Sequence, residues 1–315
     1  MPFDFDAAVR APFRMQPGLR RLAPGTPQLT PLPPGARHQR EKLAVLSAFP
    51  ELALQARPDF DATPALHALA AHAAAEHPDT LAWDGRRASA LQLGAAVDGD
   101  TVVQQQAGRF GLGDEVARCL QPLPAAWRLA GLLSLAFVED FAVVDASGHI
   151  PWLAVALPSH WAPQDKLGRH FTAVHAPVAD NRLILQAADA LVAMLTRPAH
   201  DERWERFVWT VTGHPRLHAH PQHVDPQRWP ADVAARWPQG AWWRTERQTF
   251  IPVPGVGQAV FTIAVQCRPL ADAITTREQA VALHDAIASM SDAVLAYRGL
   301  TAVRGPLLAW LNQIR

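Results

Sequence analysis

Apolar positions along the chain follow two rhythms. From Arg37 to Leu46 and from Thr63 to Glu76 they recur at helical spacing, the second run opening with Thr63 as N-cap and Pro64 at the first helical position. A third run starts at Pro124 and passes through Ala125, Leu129, Leu132, Leu133 and Leu135 with little charge, which predicts a buried helix. After Glu139 and Asp140 the rhythm changes: Phe141, Val143 and Val144, a turn from Asp145 to Gly148, and Ile150 to Leu157 predict a β-hairpin. Arg182 to Thr196 reads as one helix, and Phe207 to Thr212, Trp242 to Ile251 and Ala259 to Gln266 as strands rich in aromatic and β-branched residues. The turn Pro252-Val253-Pro254-Gly255-Val256-Gly257 predicts that the last two strands pair antiparallel. Arg277 to Tyr297 completes the pattern as one or two closing helices. The sum is an α+β fold, a mainly antiparallel sheet flanked by helices. Proline and glycine between Pro24 and Pro34 forbid a helix there, so residues 1–60 read as an N-terminal helical extension or wrap.

Composition narrows the function classes. With 49% hydrophobic residues and 11 Trp in 315, the chain can build a large core, and no apolar run has the length of a membrane span. The early acids of the N-terminus do not resemble a secretory signal, so a cytoplasmic protein is expected. Lysine plus arginine equals aspartate plus glutamate, 29 each, and no basic stripe suggests nucleic acid as a partner. The two cysteines, Cys119 and Cys267, are too few for an iron-sulfur cluster or a disulfide framework. Any iron-sulfur chemistry therefore belongs to a partner.

Three stretches carry candidate chemistry. In Ser159-His160-Trp161-Ala162-Pro163-Gln164-Asp165-Lys166-Leu167-Gly168-Arg169, a strand ends and a turn sets Lys166 near Arg169, a pair suited to carboxylates or phosphate. The same residues also suit a capped turn, a core tryptophan and two solvated cations. His175 precedes Ala176-Pro177, and proline disfavours helix at the residue before it, so an extended segment is expected to carry the imidazole. A neutral imidazole among apolar residues is either a haem ligand or a structural histidine. Along the strand from Trp242, Arg244, Glu246 and Gln248 share one face and Thr245, Arg247 and Thr249 the other. Glu246 could hold a protonated amine or relay protons, or form an ion pair with Arg244. His214, His218, His220 and His223, with Asp225, are dense enough for a metal, although Pro215 and Pro221 exclude a helical ligand pair.

The ordered set Pro158-Ser159-x-Trp161-x-Pro163-x-x-Lys166-x-Gly168, His175-Ala176-Pro177-Val178, Glu246-Arg247-Gln248-Thr249 and Val260-Phe261-Thr262-Ile263 resembles the haem-dependent oxidative N-demethylase alpha-subunit family. Pro12-Phe13-Arg14-Met15, Gly18-Leu19 and Glu139-Asp140 fit the same pattern, a span from Pro12 to about Ser291 that implies one domain over 1–315. The resemblance implies a PAS-like pocket holding haem b, and oxygen-dependent demethylation of a small amine. It also implies electrons from NADPH through a flavin and iron-sulfur partner subunit. It makes His175 the axial ligand, with His160 and His170 as rivals. Lys166, Arg169, Ser159, Trp161 and Arg247 become cofactor contacts, and Glu246 with Gln248 the catalytic pair. The chain departs from the family at Phe250 to Pro254, at Ala264, at Val208 to Gly213 and at Ala179. Those departures keep two other readings open: a non-catalytic PAS-like haem or ligand sensor, and a mononuclear metal enzyme built on the His214 to His223 loop.

Overall fold

The computed structural model describes residues 3–196, 202–224 and 229–314, so Asp225 lies outside the described residues. In chain order the strands are β1 (Arg20–Arg21), β2 (Leu54–Ala56), β3 (Leu81–Trp83), β4 (Arg87–Ala90), β5 (Ala95–Asp98), β6 (Thr101–Gln104), β7 (Asp140–Val144), β8 (Trp152–Ala154), β9 (Trp204–Thr212), β10 (Trp242–Val253) and β11 (Gln258–Pro269). Seven of them make one sheet in the order β1-β9-β10-β11-β7-β8-β2, every neighbouring pair antiparallel. Its centre is the long β10–β11 hairpin, whose turn places Gly255 and Gly257 at φ 78° and 61°. Only glycine adopts that left-handed backbone without strain. Strands β3 to β6 form a second, four-stranded antiparallel meander that the sequence pattern did not announce. They are three or four residues long and largely alanine, serine and valine, too brief for an alternation to stand out.

Helices flank the sheets. Those spanning Arg37–Ala48, Thr63–Glu76 and Ala125–Ala136 form where the periodicity places them. The cap of the second differs: Ala62 takes the N-cap position and Thr63 is the first helical residue, because the Asp61 carboxylate accepts the Thr63 N–H at 2.9 Å and turns the chain one residue early. The stretch expected as one helix over 182–196 is two, Arg182–Gln186 and Ala188–Thr196, since the backbone at Ala187 opens to φ −91°, ψ −4°. The closing segment forms Arg277–Ala288, under a Thr276/Gln279 capping box, then Asp292–Tyr297, and an unanticipated last helix, Arg304–Ile314.

Burial gathers in two large apolar clusters. One joins Leu132, Leu133 and Leu135 with Phe141, Ile251 and Val260; the other joins Trp209 and Trp243 with Leu270, Leu283 and Leu307. Strand β10 contributes to both, so the long strands tie the two together. The N-terminal segment lies along this framework: β1 pairs with β9, Gln28 donates to the Phe250 carbonyl at 2.9 Å, and the backbone N–H groups of Gln28 and Leu29 donate to Glu76. Among the described residues no helix is long and apolar enough to cross a membrane.

Candidate functional site

Strand alternation builds one unusual sheet face. On β10 it carries Arg244, Glu246 and Gln248, set by the register opposite Thr210, Val208 and Arg206 of β9. On β9 four polar atoms of this face are buried without a hydrogen-bond partner among the described residues: Trp204 Nε1, Arg206 Nε, Thr210 Oγ1 and Thr212 Oγ1. Buried polar groups are ordinarily paired, because an unmade hydrogen bond costs about 1–3 kcal/mol each. The four lie on one strand face, two on each side of Val208.

Arg244 is not free to serve that surface. Its guanidinium donates to Ser159 Oγ at 2.8 Å and to the carbonyls of Arg216 and Leu217 at 2.8 Å and Pro158 at 3.1 Å. It clamps the end of the β8 segment to the histidine loop, and burial lowers its pKa, with Glu246 opposing. The ion pair between Arg244 and Glu246 that strand alternation allowed does not form. Glu246, 9% exposed, instead accepts from Gln248 Nε2 at 2.6 Å. Arg247 points to the opposite face, as alternation requires, and its guanidinium is committed to Glu205 at 2.8 Å and the Pro27 carbonyl at 2.9 Å. It stands apart from the other predicted cofactor contacts.

His175 closes the helix Phe171–His175, which corrects the expected extended segment. Three local hydrogen bonds override the preference imposed by Pro177. His170 caps the start, Nδ1 accepting the Thr172 N–H at 3.3 Å, and Asn181 Nδ2 donates to the carbonyls of His175 and Ala176 at the end. The ring of His175 bonds the Phe171 carbonyl at 2.8 Å through Nδ1. A carbonyl only accepts, so Nδ1 carries the hydrogen and Nε2 the lone pair. Burial lowers the imidazole pKa to about 4, against the pull of that carbonyl, with Arg206 and Lys166 adding to the depression. A neutral histidine with a fixed tautomer and a free Nε2, within electrostatic reach of Arg206, meets the requirements of an iron ligand.

The two rivals are engaged. His170 uses Nδ1 as its cap acceptor, which leaves the hydrogen on Nε2 of the neutral ring, and His160 Nε2 lies 2.9 Å from His214 Nε2. Lys166 is half-buried after the 3₁₀ turn Pro163–Asp165, and burial lowers its pKa, with Asp165 opposing and Arg169 reinforcing. Arg169 is exposed, its N–H donating to the Lys166 carbonyl at 3.1 Å. Trp161 is half-buried against the first core cluster.

The histidine loop forms pairs. His218 Nε2 meets His223 Nδ1 at 2.9 Å, and His220 Nε2 faces Gln164 Oε1 at 3.4 Å. Among the described residues no group of three or more His, Cys, Asp or Glu is placed to hold a metal ion. Two open cavities of about 510 and 420 Å³ border this loop, sharing Arg216 and His223. Arg206 escaped the sequence reading because the strand was begun at Phe207; Thr210 and Thr212 lay within that strand, but the face they share with Glu246 follows only from the register with β10.

A family model described as haem-dependent oxidative N-demethylase, alpha subunit-like, matches residues 121–308. The match covers β7 to β11 and the cover over 159–196, and leaves out Pro12 to Met15. No individual curated protein matches the chain.

Proposed function

Because this chain belongs to the haem-dependent oxidative N-demethylase alpha-subunit-like family, we propose that it is the haem-carrying subunit of an oxygenase that removes a methyl group from a small amine as formaldehyde. The observation that carries the reading is the face of β9 and β10, where unpaired buried polar atoms lie in one row, together with a neutral His175 whose Nε2 is uncommitted. Haem, when bound, supplies dioxygen activation and one-electron chemistry at its iron. His175 would hold the iron through Nε2, and the Phe171 carbonyl keeps the ring in the tautomer that would allow this. Lys166 and Arg169 sit at the edge of the cover as partners for the propionates. Seating a porphyrin would require the helix Ala188–Thr196 to part from β10 and β11, on which it packs, a PAS-like use of the sheet face.

Glu246 is the acceptor for the amine proton, and Gln248 holds its Oε2 at 2.6 Å so that the other oxygen stays available. Arg244 and Ser159 position the segment from Pro158 and do not touch substrate. Electrons arrive from a reductase subunit carrying flavin and an iron-sulfur cluster, since the two cysteines of this chain do not supply the ligands of a four-thiolate cluster. We propose one functional unit over 1–315, working in the cytoplasm.

The test is spectroscopic. Protein expressed with a haem precursor gains a Soret band of b-type haem, and His175→Ala loses or shifts it while His160→Ala keeps it. Haem-loaded protein supplied with a secondary amine, dioxygen and an artificial electron donor releases formaldehyde. Protein that takes up no haem would defeat the proposal; haem without formaldehyde from any amine would leave a sensor.

A further inference from the structure

Arg206 is the least explained charge on the candidate face. Its register partner is Gln248, and Glu246 is the diagonal neighbour, where side chains lie about 7–8 Å apart at the backbone. Among the described residues its guanidinium forms no hydrogen bond or ion pair, and Nε is buried without a partner. Burial lowers the pKa of Arg206, with Glu246 the largest opposing influence. Two opposite charges so placed ordinarily close on one another. Here Glu246 takes the Gln248 amide instead, and the cation is left unmatched. Arg206 is half-buried with its Nε sealed from water, and a cation so placed without a carboxylate partner is costly and is relieved where a ligand neutralises it.

We infer that Arg206 binds a carboxylate of the substrate while Glu246 receives its ammonium group, so that the amine demethylated is an N-methyl amino acid. This rests on the proposed function and assigns its substrate class. A zwitterion carries both charges a few ångströms apart and satisfies both side chains in one binding event, which a simple dialkylamine cannot do. A guanidinium suits a carboxylate through two parallel N–H donors. The cofactor's own carboxylates have other proposed partners, Lys166 and Arg169, whereas Arg206 stands on the sheet face of Glu246 and Gln248. For N-methylglycine the balance is one amino acid, one dioxygen, two electrons from the reductase and two protons, giving glycine, formaldehyde and water. The N-methyl C–H bond is oxidised, the C–N bond then breaks, and one oxygen atom leaves as water.

The experiment uses the haem-loaded chain and measures equilibrium binding of N-methylglycine, dimethylamine and acetate by calorimetry and by the change in the Soret band. N-methylglycine should bind tighter than either fragment, and Arg206→Met should weaken it by about 10- to 100-fold, the worth of a charge-assisted bond, and should not weaken dimethylamine by a comparable factor. Arg206→Lys should recover part of the loss. Wild-type protein that binds dimethylamine as tightly as N-methylglycine would overturn the assignment and leave the demethylase reading standing. An Arg206→Met variant that folds but has lost its haem would overturn it too, making Arg206 a cofactor contact. Should the variant not fold, the comparison of the three ligands on wild-type protein decides alone. Protein that takes up no haem at all overturns the proposed function and this inference together.

Discussion

His170 and His175 are five residues apart and have opposite hydrogen placements, for reasons visible in their neighbours. One accepts a backbone N–H and serves as a helix cap; the other donates to a carbonyl and keeps its lone pair. Their substitutions should therefore separate. His170→Ala should cost about 1 kcal/mol of stability as a lost cap and leave a Soret band, whereas His175→Ala should change the band with a smaller effect on unfolding. Chemical denaturation and absorption spectra of the two variants check this, and a His170→Ala protein without haem would reverse the assignment. The two thiols are quiet for a different cause. Burial pushes Cys267 up to about 11, with Arg244 opposing, and also raises Cys119. At pH 8 the Cys267 thiolate is then about one part in a thousand. A thiol reagent at pH 8 should modify neither until denaturant is added; prompt reaction of the native protein would contradict the burial of Cys119 or the raised pKa of the half-buried Cys267.

At the scale of elements, β7 opens on a buried charge. Lys42, fully buried on the helix Arg37–Ala48, lies 3.2 Å from Asp140 and donates to the carbonyls of Phe137 at 3.1 Å and Glu139 at 2.6 Å. Asp140 in turn accepts the Leu157 N–H, and Glu139 accepts the Thr30 N–H. One lysine thus joins a helix, the entry to the sheet and, through Glu139, the N-terminal segment. Desolvation works against the ammonium, so the arrangement specifies geometry at little net gain. Lys42→Met strands Asp140 and should destabilise by about 3–5 kcal/mol, read as a shift in the urea midpoint. The pair Lys42→Met with Asp140→Leu should recover much of that loss, and equal destabilisation by both variants would refute the pairing argument.

For the molecule as a whole, the N-terminal segment is held by a titratable staple. Glu76, at the end of the helix Thr63–Glu76, accepts the N–H groups of Gln28 and Leu29 at 2.8 Å and lies near His72 and His77. Burial raises its pKa, but the bonds from His72 and the two N–H groups outweigh burial, and the carboxyl ends below its ordinary 4.5. A depressed acid stabilises the fold above its unfolded pKa and loses that contribution as the pH falls through the folded value. Stability should therefore drop as the pH falls below 4.5, and Glu76→Ala should remove about 1–3 kcal/mol at neutral pH together with part of that acid sensitivity. Melting temperatures of both proteins between pH 3 and 7 check it; parallel curves for wild type and variant would sink it.

Periodicity alone determined much of this protein. The helices over 37–46, 63–76 and 124–135, the hairpins around 145–148 and 252–257, and the antiparallel centre follow from spacing and turn chemistry, which are local. The ordered motifs also place the chain in its family. Tertiary structure decided what depends on partners distant in sequence. Glu205 draws Arg247 to the far face, and Ser159 with the loop carbonyls occupies Arg244. What remains uncommitted on the near face is Arg206, whose lack of a partner is a property of the packed sheet and of no segment taken alone.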